Sequence, residues 1–530
     1  MRKLIFLAVF AVYVYTAYPT IAPRDSADLA AAVLTLSPAH PPGYPLYVLL
    51  GRLWLWLLPW GDAAYRLNIM SAAAGAGCVT VVFLIMEASC GSWAAAAAAL
   101  ALAFSLPLWK FSLLCEMYSL HGLFLAAMIL LAPGVSRDEG SLPRRAALSA
   151  FLLGLALVNH QAFILAVPGL AVLWQGALAD QRHRRLFLRV CLPLFLLGLS
   201  VYAFLWLRAG PSRAWALLTR REYGTWQLSA GLSRPMSLDL AWGLLGSFGE
   251  QLWGALSPLA LGLGALGCVE LWRGRRRFCV GLAVLFAAFG PAFFVITRFD
   301  LGGWVARTVL ESALVAPAVL VCVAAGFGLA WVGRRWRRAA WLLAAAMAGH
   351  ALWRGAGPCC HRDDFCAFDY VKDLRRALPP GSIAAAGGDT ALYASRYLDL
   401  TRPDGRGRRL VDYQDIGPGR SPRFALGLSL QNLARLGLTP AAGLAPAGLV
   451  QTLEPGLAGG DFWELSVLRR GSALRREESY ARDVLLSYAF AHYLAGTLLD
   501  FRHDPRASWD FLMAAALDPE DYHIEIGAGR

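Results

Sequence analysis

The sequence predicts an all-α polytopic membrane protein with a C-terminal soluble domain, and three observations carry that reading. Of 530 residues, 57% are hydrophobic and only 16% charged, more apolar and less charged than an ordinary soluble domain. The apolar residues gather in repeated runs of roughly 15 to 25 with no period-two alternation, which is the length and pattern of bilayer-crossing helices rather than barrel strands. Short arginine clusters separate the runs, as the positive-inside rule requires of inner loops. Those clusters hold most of the surplus behind the net charge of +13, so the charge does not point to nucleic acid. The ten cysteines are scattered and form no disulfide framework.

The first apolar run covers residues 4–20, with Arg2 and Lys3 holding its start inside. Pro19, Pro23 and Arg24 stand where a small-residue cleavage site would be, so an uncleaved anchor is expected. A loop, 21–68, follows on the outer side. Within it, 28–36 reads as a short surface helix N-capped by Ser26, and 44–58 as an apolar segment bounded by Pro45 and Pro59 that lies in the interface or re-enters. Further apolar runs are 69–88, 94–108, 111–131, 147–174 (interrupted at Asn159-His160), 186–207, 252–272, 280–297, 309–332 and 339–353. Four basic clusters lie between them: Arg137 with Arg144 and Arg145; Arg182 with Arg184 and Arg185; Arg273 with Arg275 to Arg277; and Arg334, Arg335, Arg337 and Arg338. Placing all four inside gives about eleven crossings, an inner N-terminus and an outer C-terminus. It also puts Glu116 near the outer face, with Asp25.

From Arg354 the long apolar runs stop. Residues 354–530 are expected to form a soluble outer-face domain beside a membrane domain, 1–353, and to be large enough for their own core. Residues 381–397 read as strand, Gly-Gly-Asp turn and helix. Residues 482–519 read as two antiparallel helices, an aromatic and apolar stripe with Tyr488, Tyr493 and Leu498, then Ala507, Phe511 and Ala514 before Asp518-Pro519. That spacing resembles one tetratricopeptide-type hairpin.

Several residues can carry chemistry. Asp25 and Asp28, three apart at a helix start, share one face. A carboxylate at the lipid–water boundary can act as general base on a hydroxyl; equally, the pair can be a plain helix-end feature. His40-Pro41-Pro42-Gly43 makes a rigid turn, in which two prolines lock φ and Gly43 permits a close approach, and His40 can donate to a phosphate or be an ordinary loop histidine. Glu116 is an ionisable group inside an apolar run, a functional position by default unless it snorkels to water. Asn159-His160 breaks another run, as site or as polar hinge. Arg298 and Arg307 place positive charge on the outer face, where it can clamp a lipid phosphate, or Arg298 can pair with Asp300. The segment 209–250, with Tyr223-Gly224 and Trp226, suits an interfacial helix. Cys359, Cys360, His361 and Cys366 match no common zinc spacing, so a disulfide or incidental thiols are expected there. No Walker loop, dinucleotide fingerprint or HExxH is present.

Taken together, Asp25-Ser26, the block His40-Pro41-Pro42-Gly43-Tyr44-Pro45-Leu46-Tyr47, and Arg66-Leu67-Asn68 with Ser71 resemble the N-terminal signature of a bacterial membrane family. That family also includes the eukaryotic protein O-mannosyltransferase acting on IPT-type domains, and it belongs with the GT-C glycosyltransferases. Glu116-Met117-Tyr118, Asn159-His160, Arg221-Glu222-Tyr223-Gly224 and Gly388-Asp389 fit the same pattern. Ala27 and Asp28 depart from it, where Gly and Glu are usual. The resemblance implies transfer of a mannose-like sugar from a polyprenyl-phosphate carrier to a protein hydroxyl on the outer face. Asp25 would be the base, with Asp28 and Glu116 beside it. His40, Tyr44, Tyr118, Asn159, His160, Arg298 and Arg307 would bind substrate or lipid phosphate. No cofactor is called for beyond the lipid-linked donor, and a divalent ion stays an open addition. The expected partners are that donor, an acceptor protein and membrane lipids, and the expected location is a bacterial inner membrane with the site on its periplasmic side. A glycan or lipid acceptor, a lipid-sugar flippase and a partner-binding scaffold are the competing readings.

Overall fold

The computed structural model describes residues 1–135, 141–178, 185, 187–224, 233–302, 304–403, 407–416, 422–453 and 479–518. Arg137, Arg182, Arg184, Trp226 and Pro519 lie outside them. The chain forms two compact units: 1–17, 35–61 and 65–362 in one; 18–34, 62–64 and 363–530 in the other.

The first unit is helical. It begins with α1 (Arg2–Thr16), then α3 (Pro45–Leu57), most of α4 (Ala63–Cys90), α5 (Ser92–Ala103), α6 (Leu106–Phe111), α7 (Tyr118–Leu131), α8 (Leu142–Asn159) and α9 (Ala166–Leu178); α2 is described with the second unit. Among the described residues five helices are long and apolar enough to cross a membrane: Ala63–Cys90, Leu142–Asn159, Leu188–Ala209, Arg276–Thr297 and Val305–Arg335. A sixth candidate, Leu238–Ala255 with Pro258–Gly274, is bent by 111°. The 13-residue α3 is about 20 Å long, shorter than a hydrocarbon core of about 30 Å. Residues 209–250 hold the short helix Pro211–Leu218 and the start of Leu238–Ala255, rather than one interfacial helix.

Small residues set the closest helix approaches. A Cβ on Gly267 would fall 1.8 Å from the Ala324 carbonyl oxygen, and one on Gly328 would fall 2.0 Å from that of Leu263. Gly154 and Gly198 do the same for α8 and the helix Leu192–Leu199. Backbones meet this closely where glycine removes the side chain, the main source of helix attraction in lipid. Polar ties add to this around α1, where Tyr13 donates to the Ala103 carbonyl at 2.6 Å and the Trp109 indole donates to Thr16 at 3.1 Å.

Two runs behave differently from each other. The run 147–174 breaks at Asn159-His160 as expected, into α8, a 3₁₀ turn (Gln161–Leu165) and α9. The run 111–131 does not form one helix: residues 112–117 are irregular and only Tyr118–Leu131 is helical. Side chains from elsewhere satisfy the carbonyls that this break exposes. Ser71 donates to the Glu116 carbonyl and the Asn159 amide to the Met117 carbonyl, both at 3.2 Å. Non-helical backbone at such a place survives because protein groups replace the lost helix bonds.

The second unit contains α2 (Asp25–Thr35) as far as Leu34 and a mixed sheet. The strands are β1 (Ile383–Ala386), β2 (Arg409–Asp412), β3 (Phe424–Leu426), β4 (Ala445–Ala447) and β5 (Val450–Thr452), in the order β2-β1-β3-β5-β4. β1 pairs parallel with β2 and β3, with Ala385 opposite Val411 and Ala425; β5 runs antiparallel to β3 and β4. After β1 the chain turns at Gly388, where φ is +91°, into the helix Asp389–Thr401. The helices Ser479–Asp500 and Ala507–Leu517 pack together, Tyr493 against Phe511 and buried His492 on Asp510 at 2.7 Å. Leu494 and Leu498 of the longer helix fill a core with Ala385, Ala425 and Leu433.

The division by contacts departs from the sequence boundary at 353. Residues 18–34 join the C-terminal unit because the Arg24 amide donates to Thr390 at 3.1 Å, Arg24 faces Asp483 at 3.9 Å, and Arg396 pairs with Asp28 at 3.6 Å. Residues 62–64 join it through Tyr397, whose hydroxyl donates to Asp62 and accepts from the Ala64 amide, each at 3.0 Å. Tyr397 is fully buried, and Ala64 lies in the first turn of α4, where amides lack helix partners. Tyr397→Phe is therefore expected to cost about 1–2 kcal/mol, read as a lowered unfolding midpoint. The cysteines are all free thiols, Cys359, Cys360 and Cys366 included. Of the two uses expected for this cluster, disulfide or incidental thiols, the structure shows free thiols.

Candidate active site

α2 starts at Asp25, three residues earlier than the sequence pattern suggests. Arg24, in left-handed backbone at φ +65°, turns the chain into it. Ser26 is consequently inside the first turn and buried rather than the N-cap. Asp25 and Asp28 both occupy that turn, where the helix dipole favours negative charge. They differ in setting: Asp25 is partly exposed, whereas Asp28 is 2% exposed and paired with Arg396. Of the two carboxylates, Asp25 is the less buried.

In the first unit, the loop after α2 forms a tight turn. The Gly43 amide donates to the His40 carbonyl at 2.7 Å and the Ala39 amide to the Gly43 carbonyl at 3.3 Å. The Pro41-Pro42 bond is cis. Tyr44, at φ +44°, caps α3, and Pro45 fills its first position, where a missing N–H costs nothing. Arg208 donates to the Thr35 and Leu36 carbonyls at the end of α2, a favourable place for a cation.

This turn sits on a cluster of rings. His40 lies 5.0 Å from Tyr44, Tyr44 stacks at 6.1 Å on His160, and Tyr118 lies 5.6 Å from His160. His121 adds a further edge, 5.6 Å from His160 and packed on Phe163 and Phe289. His160 is held by its place at the break: its Nδ1 accepts from the Ala162 amide at 3.3 Å, which leaves Nε2 to carry the proton in the neutral ring. Arg220 also reaches the turn, donating to the Pro41 carbonyl at 3.2 Å.

The structure thus brings His40, Tyr44, Tyr118 and His160 together, with Asn159 and the backbone of Glu116 joined to the same region through Met117 and Ser71. Glu116 is 5% exposed. Arg298 and Arg307 make contacts of their own. Arg307 faces Glu250 at 3.9 Å and is more than half exposed. Arg298 ends the helix Phe293–Thr297 in left-handed backbone, and its carbonyl accepts from Arg234 at 2.8 Å. Asp300 pairs with Arg234, not with Arg298. His121 and Arg220 escaped the sequence reading. His121 is a histidine in the mostly apolar helix Tyr118–Leu131, and Arg220 directly precedes the Arg221-Glu222-Tyr223-Gly224 block. Among the described residues no group of three or more His, Cys, Asp or Glu side chains gathers at metal-binding distance.

Residues 25–183 match the family described as Protein O-mannosyl-transferase TMEM260 N-terminal domain. The chain is 28% identical over 485 residues to Protein O-mannosyl-transferase TMEM260 of Mus musculus, covering 84% of this chain and 67% of the mouse protein. It is 22% identical over 461 residues to the Dictyostelium discoideum protein of the same description, covering 76% of this chain and 56% of that protein. The chain therefore spans about two thirds of one curated relative and little more than half of the other. In fold it resembles ArnT from Cupriavidus metallidurans bound to undecaprenyl phosphate, with a TM-score of 0.57, 14% identity, and coverage of 86% of this chain and 99% of that one. It also resembles the Archaeoglobus fulgidus oligosaccharyltransferase in complex with Zn and sulfate, at a TM-score of 0.50, 12% identity, and coverage of 99% and 86%. Likeness in sequence to named mannosyltransferases, and in fold to GT-C membrane enzymes, supports this chain as an integral membrane glycosyltransferase with a GT-C fold.

Proposed function

We propose that this protein moves a mannose-like sugar from a polyprenyl-phosphate carrier to a Ser or Thr hydroxyl of an acceptor protein. The observation that carries the reading is Asp25, a partly exposed carboxylate opening α2, inside a region similar to the O-mannosyltransferase family. Asp25 takes the proton of the acceptor hydroxyl as that oxygen attacks the anomeric carbon. The new C–O bond forms on the opposite face as the bond to the carrier phosphate breaks, so the anomeric centre inverts and the polyprenyl phosphate leaves with the electron pair. Glu116 and Asp28 assist by positioning, and His40, Tyr44, Tyr118, Asn159 and His160 bind the donor. Arg298 and Arg307 serve at the outer approach. The names of the mouse and Dictyostelium discoideum relatives support mannose and a protein acceptor, and ArnT's bound undecaprenyl phosphate supports a polyprenyl carrier.

The reading includes about eleven crossings, a membrane domain of 1–353, an outer-face domain of 354–530 and a tetratricopeptide-like hairpin in the latter. The Ala- and Arg-rich composition supports a bacterial inner membrane with the site on the periplasmic side. No cofactor beyond the donor is required. The test is transfer of labelled mannose from polyprenyl-phosphate mannose by the purified full chain, offered a Ser/Thr-containing protein domain or a free glycan. Label on the protein supports the proposal; label on the glycan alone, or lipid movement across sealed vesicles with no covalent product, overturns it. For orientation, a cysteine at Gly381, an exposed turn with nothing within 4 Å of its Cβ position, is expected to react with an impermeant thiol reagent added outside. Labelling only after the vesicles are opened would reverse the topology.

A further inference from the structure

We infer that Arg220 is the residue that holds the carrier's phosphate, a role that rests on the sugar-transfer reading above. Arg220 is 9% exposed, and among the described residues no carboxylate pairs with it. Its Nη2 donates to the Pro41 carbonyl at 3.2 Å, its guanidinium lies 5.6 Å over the Tyr223 ring, and its Nε is buried without a hydrogen-bond partner. A buried guanidinium is normally matched by an anion, because an uncompensated charge away from water is costly. Here the protein supplies one carbonyl and one ring face and leaves a donor idle. That is the state expected of a cation whose counter-ion arrives with the substrate.

The surroundings suit an anion. Arg220 is tied to the turn that carries His40, and Tyr44 of that turn stacks on His160, so the neighbouring titratable groups are imidazoles and phenols rather than carboxylates. The guanidinium fork can give a phosphate two parallel N–H bonds. The backbone carries a second mark. Arg220 is non-glycine at φ +52°, between the helix Pro211–Leu218 and the 3₁₀ turn Arg221–Tyr223. Left-handed backbone costs an L-residue about 1–2 kcal/mol, and such positions concentrate where function over-determines them. Arg307, by contrast, is exposed and faces Glu250.

The chemistry recognised is a phosphate ester, and it can come from the lipid carrier or from free phosphate. The test measures binding of polyprenyl phosphate, neutral polyprenol and inorganic phosphate to the full chain in detergent, in wild type, Arg220→Gln, Arg220→Lys and the exposed control Arg213→Gln. Arg220→Gln is expected to weaken polyprenyl phosphate at least tenfold while polyprenol binding stays within twofold, which also shows that the variant is folded. Arg220→Lys is expected to recover part of the loss, and Arg213→Gln to match wild type. Unchanged binding of polyprenyl phosphate in Arg220→Gln overturns the assignment, as does equal loss of the neutral lipid. Equal binding of inorganic and lipid phosphate, both lost in Arg220→Gln, overturns the lipid headgroup as the source. If wild type transfers sugar but Arg220→Gln binds donor normally, only this inference fails. If wild type neither binds the lipid phosphate nor transfers sugar, the function itself fails.

Discussion

Asp25→Asn is expected to lower the turnover number for sugar transfer by about 10²- to 10⁴-fold, the range of a lost general base, with little change in KM for the lipid-linked donor. The substitution keeps size and shape. It removes a first-turn carboxylate whose interaction with the helix dipole is worth about 0.3–1 kcal/mol, so α2 should persist and the loss should be chemical rather than structural. Asp28→Asn is the informative contrast. Asp28 is buried and paired with Arg396, so its replacement should lower the unfolding midpoint more than Asp25→Asn does while leaving more of the turnover. The measurement is label transfer to a protein acceptor at saturating donor, beside a thermal melt of each variant. Wild-type turnover in Asp25→Asn would remove this residue from the mechanism.

Gly267→Ala is expected to be the most damaging single methyl in the membrane unit. Its Cβ would meet the Ala324 carbonyl oxygen at 1.8 Å and the Gly328 amide nitrogen at 2.9 Å. Both are backbone atoms, so no rotamer relieves the clash, and the helices Pro258–Gly274 and Val315–Arg335 must separate. Overpacking of this kind costs about 1–3 kcal/mol, occasionally more, and a backbone-to-backbone contact belongs at the upper end. Two neighbours calibrate it. At Gly264 the nearest atom to a new Cβ is 3.4 Å away, and at Gly262 nothing lies within 4 Å. Gly264→Ala should be mild. Gly262→Ala should be neutral or slightly stabilising, since alanine is the better helix former by about 1 kcal/mol. Melting points of the three variants in detergent should rank in that order; equal melting points would mean that the two helices are not packed through Gly267.

The parts legible in the sequence were those with a local signature. The run 147–174 betrayed its break because Asn159-His160 is a polar pair in an apolar stretch. The strand–turn–helix around Gly388-Asp389 was legible from glycines that only a turn tolerates. The break at residues 112–117 was not legible: Cys115, Met117 and their neighbours look as apolar as a helix, and the groups that satisfy the opened carbonyls, Ser71 and Asn159, come from distant segments. Ser26 was misplaced as a cap because the pattern of serine before an apolar run ignores the left-handed Arg24 that starts the helix earlier.

By itself, the sequence determined the helical membrane class, the break at Asn159-His160 and the strand–turn–helix around Gly388-Asp389, because hydrophobic run length, polar interruptions and turn residues act over a few neighbours at a time. Only the tertiary structure decided that Asp28 is consumed by Arg396, that Arg307 faces Glu250, and that Arg220 lies against Pro41 across 179 positions of chain. Those pairings depend on which surfaces the folded backbone brings together, and contacts between distant segments leave no periodic trace in the order of the residues.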